Sequence, residues 1–184
     1  MSVPNLISLI RLLAVPFMIY LILNGYYLSA FWLFVAAGIS DAIDGFIAKR
    51  MEQATPLGAY LDPLADKALL VAVYISLGKV DCLPSWLVIL VVFRDVIIIG
   101  GVVLLHLLTD GVKMQPIFVS KINTLTQILL VIAVLFQLAF KFSNMEQIIT
   151  ALIFLVTVTT IFSGGAYIIN WGKEVDKKNG TNEL

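Results

Sequence analysis

Six long apolar stretches leave this chain few folds to choose from. A helix needs about 20 mostly apolar residues to cross a bilayer. The runs read as roughly Leu6–Leu23, Leu28–Ile47, Ala59–Gly78, Leu83–Leu107, Pro116–Phe140 and Gln147–Trp171. None alternates in polarity, which excludes a β-barrel. The breaks between them are short and carry turn formers: Asn24-Gly25, Thr55-Pro56-Leu57-Gly58, Gly78 to Pro84, Thr109-Asp110-Gly111 and Ser143-Asn144. The expected fold is an all-α polytopic membrane protein, with six transmembrane helices in one bundle. That domain takes residues 1–173, and a polar, disordered tail takes 174–184.

Composition supports this. Of 184 residues, 60% are hydrophobic and 13% charged, with mean hydropathy +1.00. A soluble domain carries about 25% charged residues. Disorder needs the opposite composition. Lys plus Arg and Asp plus Glu both number 12, so no charge field draws in nucleic acid. The single cysteine, Cys82, excludes an intramolecular disulfide or a cysteine-based zinc site.

Cationic loops orient a membrane chain. Lys79 and Lys141 fall on one side; Lys49, Arg50, Lys113, Lys173, Lys177 and Lys178 fall on the other. Both termini and the 49–58 loop are therefore expected in the cytoplasm. No signal or transit peptide is read at the N-terminus. This points to a bacterial inner-membrane protein, or to a trimmed chain.

Ionisable residues inside spans are costly and mark function. Asp41 and Asp44 lie three apart near the end of the second span, and Asp62 and Asp66 four apart near the start of the third. Either spacing puts both carboxylates on one helical face. Four carboxylates facing each other need a counter-charge, or some would protonate. With no His or Cys in the set, the donors suit Mg²⁺ or Mn²⁺. The arrangement resembles a two-metal site for phosphoryl displacement. Gly45, Ala48 and Gly58 share the aspartates' faces and leave room for a phosphate or sugar near the backbone. Each alone would read as a close helix contact. The whole pattern should arise by chance only about once in 10⁸–10⁹ starts.

Asp41, Asp44, Gly45, Ala48, Gly58, Asp62 and Asp66 match the signature D-x2-D-G-x2-A-R-x8-G-x3-D-x3-D. The chain thus resembles the CDP-alcohol phosphatidyltransferases over essentially its whole length. One position departs: Lys49 stands where the family has Arg, and a lysine lacks the bidentate fork. The resemblance implies that Asp41, Asp44, Asp62 and Asp66 hold two divalent ions. It makes Asp66 the base that takes the acceptor's proton, and has Gly45, Ala48, Lys49, Thr55 and Gly58 line the CDP pocket. It implies CDP-diacylglycerol as donor, CMP as leaving group and a homodimer. The single His106 cannot build a Ser-His-Asp arrangement, so no covalent route is needed.

Family members differ in the acceptor alcohol. An anionic acceptor needs cations, and Arg94, Lys121 and Arg11 are the candidates. Arg94 and Lys121 could instead snorkel to the surface. The segments Leu61–Lys67, Phe93–Val96 and Pro116–Thr124 look most like the CDP-diacylglycerol-dependent cardiolipin synthases. Glycerolphosphate-using members usually carry Arg-Glu in the fourth span, a further Arg soon after, and a Gly-Lys-x-Lys-Thr run. Here Asp95 replaces the Glu, Val96–Leu105 has no Arg, and Asn123 stands at the second Lys. Fewer cations suit phosphatidylglycerol better than a small phosphomonoester. The expected activity is cardiolipin synthesis, with phosphatidylglycerolphosphate synthesis as the alternative.

A divalent-cation transporter is the reading from another class. Transporter sites sit near the midplane, often in repeated halves. This cluster lies at one edge and has no second copy.

Overall fold

The computed structural model describes the backbone of residues 3–51, 56–108 and 118–181, and the side chains of 9–41, 65–101, 118–142, 144–167 and 169. Among these residues six α-helices follow one another: α1 (Val3–Leu23), α2 (Tyr27–Met51), α3 (Pro56–Lys79), α4 (Ser85–Leu108), α5 (Phe118–Phe140) and α6 (Glu146–Thr181). A 3₁₀ turn, Ser143–Met145, leads into α6. No strand occurs among the described residues. Each expected apolar run overlaps one of these helices; Leu83 and Pro84 precede α4, and residues 116 and 117 lie outside the described residues.

Phe118–Phe140 and Glu146–Tyr167 are each long and apolar enough to cross a membrane, with mean hydropathies of 2.0 and 2.1. Leu9–Leu23 and Tyr27–Asp41 are shorter apolar helical segments. The expected disordered tail is corrected in part, because α6 continues to Thr181. Glu174 is spaced three and four residues from Lys177 and Lys178, which favours helix over coil.

Three connections share one physical device. After α1, Gly25 has φ +75°, Tyr26 N–H donates to Leu21 O at 2.8 Å and Gly25 N–H to Ile22 O at 3.1 Å. After α3, Asp81 has φ +56°, and Cys82 N–H reaches Leu77 O at 2.9 Å. After α5, Lys141 has φ +52°, and Phe142 N–H reaches Gln137 O at 3.2 Å. Each is a left-handed C-terminal cap that satisfies the last carbonyls and reverses the chain.

The main helix pairings are α1 with α3, α5 with α6, α2 with α5, and α1 with α2. Helices α1 and α3 run in the same direction. Arg11 meets Asp66 at one end, while Ile19 and Leu23 share a groove with Ile75 and Lys79 towards the other. Tyr74, Met18, Leu77, Leu87, Leu130 and Leu135 fill the core. Polar groups are buried too: Arg11, Arg94, Asp95, Asn123, Gln127, Thr160 and Ser163. Large apolar side chains, among them Phe17, Ile89, Phe154 and Phe162, face outward. Water would penalise so broad an apolar surface; lipid would not.

Candidate active site

The site assembles where the starts of α1 and α3 meet α2. Arg11, 4% exposed, projects from α1 between carboxylates of two other helices. Its Nη1 donates to Asp41 Oδ1 of α2 at 2.9 Å and also to Asp66 Oδ1 of α3. Asp41 and Asp66 are both partly open, with side-chain exposures of 48% and 39%. A cation thus already sits where two of the four aspartates converge. The converging carboxylate oxygens are the hard, negatively charged donors a divalent ion requires, and Arg11 meets the same oxygens. In this respect the residues present fit a metal of that class.

The other expected residues are placed by backbone alone. Asp44, Gly45, Ala48 and Lys49 continue α2 beyond Asp41; Gly58 and Asp62 precede Asp66 on α3. Their side chains, and Thr55 altogether, lie outside the described residues. Among the described residues no group of three potential metal ligands occurs. His106 is helical, with its side chain likewise outside them.

The expected acceptor cations separate. Arg11 is at the carboxylates. Arg94 belongs to an internal network: Nη1 donates to Asp95 Oδ1 at 2.6 Å, and Nη2 donates to Ser120 Oγ at 2.6 Å and to Ser163 Oγ. Arg94 is 4% exposed, so it does not snorkel. Lys121 lies on the exposed face of α5, beside Ser120.

One participant has no assigned part in the sequence reading. Lys67 Nζ lies 3.0 and 2.9 Å from the two carboxylate oxygens of Asp95. The available signal was a lysine in an apolar helix directly after Asp66, and an aspartate in the next helix. Asn123, at the position of the missing lysine, is fully buried. Its Oδ1 receives Thr159 and Thr160 of α6, each Oγ1 at 2.9 Å. Thr126 and Thr159 approach at 3.1 Å beside it.

The family model for CDP-alcohol phosphatidyltransferases matches residues 1–162. A chloroplastic CDP-diacylglycerol–glycerol-3-phosphate 3-phosphatidyltransferase of Oryza sativa subsp. japonica is 37% identical, over 93% of this chain and 57% of the relative. The CMP-forming cardiolipin synthase of Rattus norvegicus is 35% identical, over 78% of this chain and 53% of its own. A CDP-diacylglycerol–glycerol-3-phosphate 3-phosphatidyltransferase of Pseudomonas fluorescens is 39% identical, over 53% of each. The chain spans about half the length of these relatives. With residues 1–162 matched and the signature aspartates in place on α2 and α3, this chain belongs to the CDP-alcohol phosphatidyltransferase family.

Proposed function

We propose that this chain is an integral-membrane phosphatidyltransferase that makes cardiolipin. The free glycerol hydroxyl of phosphatidylglycerol attacks the lipid-side phosphorus of CDP-diacylglycerol. The new P–O bond forms as the bond to the CMP oxygen breaks, and CMP leaves. Asp66 accepts the hydroxyl proton, because a neutral alcohol is a poor nucleophile. Gly45, Ala48, Lys49, Thr55 and Gly58 line the CDP pocket. Two divalent ions, Mg²⁺ or Mn²⁺, held by Asp41, Asp44, Asp62 and Asp66, would neutralise the diphosphate. Arg11 adds a fixed positive charge beside those carboxylates and faces the acceptor phosphate. Lys121 is proposed to meet that phosphate from the edge of α5. Arg94 is proposed to close the acceptor side from within the bundle.

The observation that carries the acceptor choice is Asn123. Where a glycerolphosphate enzyme would place a lysine, this chain has a fully buried amide bound to two threonines. The position holds α5 to α6 and offers no charge to a phosphomonoester. The rice and Pseudomonas relatives favour the second reading, phosphatidylglycerolphosphate synthesis from glycerol 3-phosphate.

The broad apolar exterior supports six membrane spans. Both termini are proposed to be cytoplasmic, in a bacterial inner membrane, with residues 1–173 as the transferase domain, 174–184 as an appended polar segment, and two chains per assembly. The test supplies purified protein with Mg²⁺ or Mn²⁺ and CDP-diacylglycerol, then offers phosphatidylglycerol and glycerol 3-phosphate separately. Cardiolipin from the first tube alone is expected. Phosphatidylglycerolphosphate from the second would establish the alternative.

A further inference from the structure

Helix α3 presents two consecutive charges to different neighbours. Asp66 meets Arg11 of α1 and, through it, Asp41 of α2. Lys67 meets both oxygens of Asp95 on α4. Successive helical residues project about 100° apart. Rotation of α3 about its axis would therefore break one tether or the other.

The second tether is itself anchored. Asp95 is 1% exposed and also receives Arg94, whose Nη2 is held by Ser120 of α5 and Ser163 of α6. A line of contacts thus runs from α5 and α6, through α4, to the residue beside Asp66. Arg94 already pairs with Asp95, so that carboxylate does not depend on Lys67 for a counter-charge. Lys67 adds a second contact to it from a different helix, and that contact ties α3 to α4.

We infer that Lys67, Asp95 and Arg94 form a positioning chain that sets the rotation of α3 and thereby aims Asp66. The inference rests on the transferase reading for what Asp66 is aimed at. Lys67 touches no reacting atom; it acts through the helix it shares with Asp66.

The test compares wild type, Lys67→Met and Lys67→Arg in detergent. Two readouts are taken: Mn²⁺ affinity without substrate, and CMP release with CDP-diacylglycerol and each acceptor at saturating Mn²⁺. Loss of a nearby cation should, by charge alone, tighten Mn²⁺ binding. Mispositioning of Asp66 has the opposite sign. The expected result for Lys67→Met is Mn²⁺ binding weakened several-fold and kcat lowered at least tenfold, with KM for CDP-diacylglycerol unchanged. Lys67→Arg, which can make the same paired contact, should recover both. Tighter Mn²⁺ binding in Lys67→Met, a loss confined to KM, or no recovery in Lys67→Arg overturns the inference. If Lys67→Met yields no folded protein, Lys67→Gln is read in the same way. Wild type that releases no CMP with any acceptor defeats the transferase reading, and the Mn²⁺ affinities still decide the role of Lys67.

Discussion

Arg11 Nη1 lies 2.9 Å from Asp41 Oδ1, across thirty residues of chain and between two helices. The same nitrogen also meets Asp66. A guanidinium so placed competes with any other cation for these oxygens. Replacing Arg11 with Met should therefore tighten Mn²⁺ binding by about tenfold, a change on the order of 1 kcal/mol for one partly solvated charge. Turnover should fall in the same variant, because the proposed phosphate contact is lost. Titration of Mn²⁺ beside a CMP-release assay checks both signs.

Asp62→Asn should abolish turnover while the protein still inserts and folds, since it removes a proposed metal ligand. Asp66→Asn should bind CDP-diacylglycerol nearly as wild type does yet transfer nothing. Donor binding measured with labelled lipid separates the two. Full activity of Asp62→Asn would sink the metal assignment, and loss of donor binding alone in Asp66→Asn would make Asp66 a ligand and not a base.

Gly78 near the end of α3 is set by packing. A Cβ there would fall 2.8 Å from Val88 Cγ2 of α4. Gly78→Ala should destabilise the protein by about 1–3 kcal/mol through overpacking. Pairing it with Val88→Ala removes the clash, and the double variant should melt above the single one. Thermal unfolding in detergent reads this directly.

Cys82 reports on the turn between α3 and α4. Burial, reinforced by the adjacent Asp81 charge, pushes its thiol up from the ordinary range. Less thiolate is then present at neutral pH, so maleimide labelling should be slow. It should quicken about tenfold per pH unit until the thiol ionises. An impermeant maleimide should label right-side-out vesicles and spare inverted ones if this turn faces outward as proposed.

Much of the fold was legible because each apolar run ends in residues that reverse a chain. Asn24-Gly25 and the segment from Gly78 to Pro84 stand where α1 and α3 stop. Two of the four aspartates, together with Arg11, do converge. What could not be read was which helix face meets which neighbour. In a chain apolar on all sides, periodicity carries little of that information. The Lys67–Asp95 pair was missed for that reason, and Asn123 read as an absent cation when it is a helix contact. Arg94 raised the choice between snorkelling and function; its burial among Asp95, Ser120 and Ser163 reflects tertiary contacts 26 and 69 residues away.

The Lys67–Asp95 contact also bears on how such a chain would enter the bilayer. A charged residue in an isolated span is costly, up to about 2.5–3.5 kcal/mol at the span's centre on insertion scales. Helix α3 carries Lys67 and Asp66 side by side, and the Lys67 ammonium is hydrogen-bonded to a carboxylate of α4. Helix α4 has an internal partner for Asp95 in Arg94, and so depends less on company. The third segment should therefore linger at the insertion machinery until the fourth emerges, the two leaving for the lipid as a hairpin. Order of synthesis and order of membrane entry would then differ at this one step.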